Sequence, residues 1–143
     1  MKRTKYDAIV SDLVRERAHW TCENCEYIDV DGQAVGKSFF MQASHFRGRG
    51  AGFVERHSTT NVRCLCAPCH KHFGERPDEH TSFLKRLLGD SGYDLLLAKF
   101  YVPIKITNSL KSELLRHYKS ELLRLRTMRH DGKMGYIEVA DFF

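Results

Sequence analysis

The first twenty residues place apolar side chains at the spacing of a helix. Tyr6, Ile9, Val10, Leu13 and Val14 recur every three or four positions, so this segment predicts an amphipathic helix that ends near Trp20. Its polar side carries several basic residues. These charges either face DNA or simply face solvent, and the pattern does not separate the two.

The pattern changes after the helix, between Glu26 and Phe46. Short apolar groups there surround the turn dipeptide Asp31-Gly32, which predicts short strands and turns, with a β-hairpin that presents His45. The glycine-rich run 47–52 predicts an irregular, mobile loop, because glycine loses much conformational freedom on ordering. Residues 61–65 alternate like a strand, in which Cys64 is expected to pack as a small apolar residue.

Helical patterns fill the second half of the chain. We expect a helix to start at residues 70–73, a break near Gly74 and Pro77, a second helix ending near Gly89, and a third segment that stops before Pro103. Asn108 or Ser109 is expected to cap a last long helix. An apolar stripe on that helix, interpreted as core, consists of Leu110, Leu114, Tyr118, Leu122 and Leu125.

Composition bounds the fold and the compartment. The 143 residues, 42% of them hydrophobic, suffice for one compact domain or a small core with an extension. We predict an α+β fold in which residues 1–77 form the core and residues 78–143 a helical extension used for DNA binding or dimerisation. No apolar run approaches the roughly 20 residues of a membrane span and no signal peptide is evident, so a soluble, cytoplasmic protein without membrane partners is expected.

Four of the five cysteines form two C-x-x-C pairs. The pairs are Cys22 with Cys25 and Cys66 with Cys69, a spacing typical of a structural Zn²⁺ site with four thiolate ligands. Pairs of this kind fit metal binding in a reducing compartment better than a disulfide framework. The sequence therefore predicts one structural zinc ion.

Two histidines and an asparagine accompany the cysteines and suggest hydrolytic chemistry. A metal-dependent phosphodiesterase needs a base that deprotonates water and a cation that neutralises charge on phosphate. His45 is the candidate base, because imidazole titrates near neutral pH, and His70, directly after the last zinc ligand, is the candidate ligand of a catalytic metal. Asn61 is the candidate positioning residue, since its amide can bind the backbone of the His45 loop.

These residues resemble a known family. The runs Ala43-Ser44-His45-Phe46 and Asn61 to His70 are similar in order and spacing to the signature of the His-Asn-His (HNH) endonucleases, which have a ββα-metal fold, in the form that carries four zinc-binding cysteines. Within that superfamily, residues 44–50 and the leucine-rich segment with Gly89 and Tyr93 look similar to the NinG and Rap recombination endonucleases of lambdoid phages.

The resemblance implies a function and its site. It implies hydrolysis of DNA, with branched recombination intermediates as substrate, 5′-phosphate ends, and Mg²⁺ or Mn²⁺ as catalytic cofactor beside the structural zinc. It implies His45, Asn61 and His70 as catalytic residues and a homodimer, for which the C-terminal helices are the expected contact, in the cytoplasm of a bacterial host.

The chain departs from the family next to the base. Many members have an aspartate or histidine there as a second metal ligand, whereas this chain has Ser44, a weaker neutral ligand. We therefore expect Ser44 and His70 to bind the metal weakly without DNA. Histidines 57 and 72 are expected to be solvated rather than ligands.

The net charge of +5 suits a polyanionic partner. Arg47, Arg49 and Arg63 are the candidate contacts to the DNA backbone, with little base specificity. Two other function classes stay open: a zinc-dependent DNA-binding module without catalysis, and a protein-interaction adaptor that uses the apolar C-terminal tail.

Overall fold

The computed structural model describes residues 1–143 and has an α+β fold. Six helices surround a two-stranded antiparallel sheet, in the order α1 Lys5–Arg17, α2 Val30–Val35, β1 Met41–His45, α3 Phe53–His57, β2 Val62–Cys66, α4 Ala67–Glu75, α5 Pro77–Phe100 and α6 Asn108–His130. None of the helices combines the length and the apolar character that a bilayer crossing requires.

Helix α1 confirms the helix predicted from the first apolar pattern. Its start is a capping box, in which the Thr4 hydroxyl accepts from the Asp7 amide and the Asp7 carboxylate accepts from the Thr4 amide. The Asp7 carboxylate also accepts two hydrogen bonds from Arg56 at 2.6 Å, in α3. The cap therefore joins the start of the chain to the loop that follows β1.

The small sheet pairs the two strands that flank the candidate site. In its register Met41 lies opposite Cys66 and His45 lies opposite Val62. The strand predicted at residues 61–65 is confirmed. The β-hairpin expected within residues 26–46 is wrong, because β1 pairs with β2 across residues 46–61, which form an irregular loop, α3 and a short 3-10 helix. His45 is thus the last residue of β1, directly before a long connection to β2.

The strands predicted between residues 27 and 35 are also wrong. That segment is helix α2, whose only strand-like neighbour is the isolated bridge between Thr21 and Ile28. Asp29 caps the helix by accepting from the Gly32 amide, and Gly36 ends it in the left-handed conformation at a φ of 68°. The caps at both ends favour a helix over the short strands and turns that the apolar groups predict.

The helical second half largely follows the prediction. A break at Arg76 and Pro77 separates α4 from α5, and Gly89, at a φ of 71°, kinks α5 where a helix end was expected. Helix α6 begins one residue earlier than predicted, because the Thr107 hydroxyl accepts from the Leu110 amide. The cap is thus Thr107 and neither Asn108 nor Ser109.

Two hydrophobic clusters form the interior. The larger one joins α1 to α6, and it includes Ile137 and Val139 of the C-terminal tail. The stripe of α6 is core as predicted, with Leu110 only half-buried. The smaller cluster lies under the cysteines and contains Trp20, Met41 and Phe83. Residues on both sides of position 77 therefore share each cluster.

Asp141 fixes the tail against the segment before β2. Its carboxylate accepts hydrogen bonds from the Ser58 hydroxyl, the amides of Thr59 and Thr60, and the Tyr118 hydroxyl. Burial alone would raise the pKa of Asp141, but Lys99 and these hydrogen bonds keep it below its usual value. The carboxylate is the central acceptor at this corner.

Substituting Asp141 tests this anchor. Asp141→Ala leaves several buried donors without an acceptor, and we expect it to lower the free energy of unfolding by about 3 kcal/mol. Urea denaturation of the zinc-loaded protein measures the loss. Asp94→Ala, at an exposed position of α5, is the control. If both variants unfold at the same urea concentration, Asp141 does not anchor the tail.

Candidate functional site

The four cysteines of the two C-x-x-C pairs converge on one point. Their sulfur atoms all lie within 4.8 Å of one another, and they are the only group of three or more potential ligands that does so. Cys22 and Cys25 come from the turn after α1, whereas Cys66 ends β2 and Cys69 lies in the first turn of α4. The fold therefore assembles the predicted four-thiolate group.

The spacing of the sulfurs fits a tetrahedral metal. The Cys25 and Cys66 sulfurs are 3.6 Å apart. Zinc–sulfur bonds of about 2.3 Å place tetrahedral ligands roughly 3.8 Å apart, whereas a disulfide needs about 2.05 Å. Four thiols this close to one another suit a divalent cation such as Zn²⁺.

Two neighbouring side chains fix the cysteine pairs. The Asn24 amide donates to the Cys69 sulfur at 3.3 Å, which joins one pair to the other. The Glu23 carboxylate accepts from the Cys64 amide at 2.7 Å and binds Arg63 in an ion pair. The turn that holds the first pair is thus bound to β2 independently of any metal.

The fifth cysteine stands apart from this group. Cys64 is fully buried in the smaller cluster, which confirms the expected packing role. Its sulfur is not part of the group of four that lie within 4.8 Å of one another, so it is not placed to share their metal. It is a natural control for the four others.

His45 and His70 line the same two cavities. The first, of about 430 Å³, is also lined by Ser44 and Arg47, and the second, of about 530 Å³, is also lined by Arg49. Together the cavities form one groove, which we call the histidine groove. The two imidazoles therefore line a common groove, and His70 directly follows Cys69 in the chain.

The His45 ring is held with one nitrogen free. Its Nε2 lies 2.9 Å from the carbonyl oxygen of Arg56. Because a carbonyl only accepts, Nε2 carries the proton and Nδ1 keeps its lone pair. Burial lowers the pKa of His45, so the ring is neutral at neutral pH. A neutral imidazole with a free lone pair can accept a proton from water.

A glutamine that the sequence did not single out orients His70. The Gln42 amide nitrogen donates to the Phe39 carbonyl, which turns its oxygen towards His70 Nδ1 at 2.7 Å. His70 Nδ1 is therefore the protonated nitrogen and Nε2 has the lone pair. Metal-binding histidines commonly donate their second nitrogen to such an acceptor. This contact depends on the packing of α4 against β1, which no local sequence pattern shows.

Asn61 hydrogen-bonds to the backbone at two places in the connection that follows His45. Its amide nitrogen donates to the carbonyls of Glu55 and Arg47, and its oxygen accepts from the Arg47 amide at 3.0 Å. These are the backbone contacts that the sequence predicted for this residue. The side chain is fully buried, so it acts on the loop rather than on a ligand.

Two buried polar atoms at the groove have no partner within the protein. Ser44 Oγ and His80 Nε2 lie in residues that line the cavity with His45 and His70, and neither makes a hydrogen bond. His80 is the second residue missed by the sequence. Its ring stacks on Phe73 at 5.1 Å. It comes from α5, beyond a helix break, so no local motif marks it.

The candidate DNA contacts divide into two groups. Arg47 and Arg49 line the groove, and Arg47 lies over the Phe100 ring at 5.1 Å. Arg63 does not lie there. It is 5% exposed and donates to Glu23 and to the Thr60 carbonyl, because both faces of β2 are buried. Arg63 is therefore unavailable to a DNA backbone, contrary to the prediction.

The two remaining histidines near the motif lie outside the groove. His72 is half-exposed and pairs with Glu79, in line with the expected solvated position. His57 is buried instead of solvated, because it packs on Phe53 and its ring lies 3.3 Å from Asp7. Neither ring reaches the site.

No family model, curated protein or solved structure that was compared with the chain matches it.

Zinc content tests the cysteine group. We expect Cys25→Ser and Cys69→Ser to lose bound zinc and unfold, because metal binding supplies part of the folding free energy. Cys64→Ala, the control, should keep an equimolar amount of zinc. Atomic emission measures the metal and circular dichroism the fold. Full zinc content in Cys69→Ser, or loss of zinc in Cys64→Ala, would contradict the assignment.

Proposed function

We propose that the protein is a metal-dependent DNA endonuclease of the HNH type that cleaves branched DNA, as in phage recombination. The observation that carries the proposal is the shared groove of His45 and His70 beside the four-cysteine group. The antiparallel strands β1 and β2, followed directly by α4, have the order of elements that the ββα-metal fold requires. Each ring also has a free nitrogen, which can accept a proton in His45 and bind a metal in His70.

His45 is the general base of the proposed reaction. Its Nδ1 takes a proton from a water molecule, which then attacks the phosphorus atom of the DNA backbone. The Arg56 carbonyl holds the opposite side of the ring. Asn61 keeps the loop that carries Arg56 in place through the Glu55 carbonyl. His45, the loop that orients it and the Asn61 side chain are therefore held together by one set of hydrogen bonds.

His70 and Ser44 are the proposed ligands of a catalytic Mg²⁺ or Mn²⁺. His70 Nε2 has a lone pair, and Ser44 Oγ is a buried oxygen without a partner, so both fit the role. Such a cation, when bound, neutralises charge on the scissile phosphate and the leaving 3′-oxygen. The protein offers few ligands, which leaves places for water and phosphate oxygens, as Mg²⁺ prefers.

The surroundings of the groove support an anionic substrate. Arg47 and Arg49 border the rings, and backbone contacts of this kind give affinity that falls as salt rises. The stripe of α6 is already buried in the chain's own core. A homodimer through the C-terminal helices would therefore use their exposed faces.

Plasmid cleavage tests the base. The parent protein should nick supercoiled plasmid with Mg²⁺ or Mn²⁺, and His45→Ala should lower the rate about 100- to 10,000-fold, the usual contribution of a general base. His72→Ala, a half-exposed histidine of the same region, should cleave normally. Equal rates for parent and His45→Ala would refute the base. DNA binding without cleavage under any divalent metal would favour the non-catalytic module instead.

Gln42 provides a second test, directed at the metal. Gln42→Ala removes the acceptor that orients His70, and we expect about a 10- to 100-fold loss of metal affinity, as found for such supporting contacts. The Mn²⁺ concentration for half-maximal cleavage and Mn²⁺ titration in the presence of DNA both report it. Gln33→Ala, on α2, is the control. An unchanged Mn²⁺ requirement would show that Gln42 does not support a metal ligand.

A further inference from the structure

A phenyl ring stands almost free of the protein at the edge of the histidine groove. Phe39 is 93% exposed, the highest value of any large apolar side chain in the chain. Its neighbours Tyr27 and Phe40 contact each other, with ring centroids 5.1 Å apart, but Phe39 makes no aromatic contact. A single exposed apolar side chain is common on protein surfaces, so the meaning of this ring depends on what surrounds it.

The backbone that presents Phe39 is firmly held. The Ser38 hydroxyl accepts from the amides of Phe40 and Met41 and donates to Asp29. The Phe39 carbonyl accepts from Gln42, the residue that also binds His70. The backbone from which the ring projects therefore has a fixed place relative to the proposed metal ligand.

The cavity that Phe39 lines has more basic than acidic residues, with three arginines and the single carboxylate of Asp7, which is paired with Arg56. Phe39 lines the 530 Å³ cavity together with His45, His70, Arg3 and Arg49. Arg3 and Arg49 are exposed and take part in no ion pair. An apolar ring that lines one cavity with two free guanidinium groups matches a nucleic-acid strand, whose bases stack on aromatic rings while its phosphates bind cations.

We propose that Phe39 stacks on an unpaired base next to the cleaved phosphate and thereby selects branched over fully paired DNA. This inference rests on the proposed function, since it names the substrate feature that the same groove recognises. In an intact duplex every base is already stacked on its neighbours. Only a branch or a single-stranded segment offers Phe39 a base at no unstacking cost.

Charge favours this occupant over a second copy of the chain. The net charge is +5, and the free arginines at the ring would repel the same patch of another copy. DNA supplies both an apolar face and the compensating negative charge. Self-association through Phe39 is therefore the competing outcome that the experiment must reveal.

Binding of two DNA forms tests the proposal without needing cleavage. The measurement uses the His45→Ala protein with Mg²⁺, on a forked DNA with unpaired bases at the branch and on a fully paired duplex of equal length. Adding Phe39→Ala should weaken binding to the fork by about tenfold, within the range for loss of one base–aromatic stack, and binding to the duplex by less than about twofold. Val35→Ala, a 74% exposed residue of the same segment that does not line the groove, should change neither.

A tryptophan gives a direct signal of stacking. The chain has one tryptophan, Trp20, which is buried. Phe39→Trp should restore fork binding, and its fluorescence should be quenched by the fork but not by the duplex. Equal effects of Phe39→Ala on both DNAs, no effect on either, or a loss of self-association in sedimentation with unchanged DNA binding would each overturn the proposal. If the protein with His45 intact binds forks selectively but never cleaves them, the proposed nuclease activity is refuted and the proposed role of Phe39 is still supported.

Discussion

The convergence of four cysteine sulfurs is the constraint on which the site depends. It joins the turn after α1 to the end of β2 and the first turn of α4, above the smaller hydrophobic cluster. His70 follows Cys69 directly, so the geometry of the cysteines also sets the direction of its ring. A metal ion such as Zn²⁺, when bound at this point, would stabilise the fold and position the site with the same bonds.

Polar contacts, rather than regular structure, hold the other half of the site. The connection between β1 and β2 has only two short helices, yet Asn61 binds it from within and Asp141 binds its end from the C-terminal tail. The Asp7–Arg56 pair ties the same loop to the start of α1. Buried donors and acceptors of this kind are costly to leave unpaired, so together they fix the carbonyl that orients His45.

The sequence predicts what depends on local patterns and short motifs. Residue types and spacing suffice for the grouping of the four cysteines, the strand at 62–66, the long helices, and the neighbourhood of His45, Asn61 and His70. At residues 30–35 a local signal is at issue, because the Asp31-Gly32 dipeptide predicts a turn whereas the cap at Asp29 gives a helix. Elsewhere the patterns fail where a distant contact decides. Two packed faces bury Arg63, and the packing of α4 on β1 brings Gln42 to His70. His80 reaches the groove from another helix, which no local pattern marks.

Because the proposed metal ligands are neutral, binding of the metal would depend on binding of the substrate. An imidazole and a hydroxyl carry no formal charge, so a divalent cation gains little from them alone. A DNA phosphate at Arg47 and Arg49 would bring the missing negative charge into the groove. Each partner then raises the affinity of the other by the same factor, because binding linkage is reciprocal. A site of this kind assembles fully only on DNA, which restricts the reaction to the bound substrate.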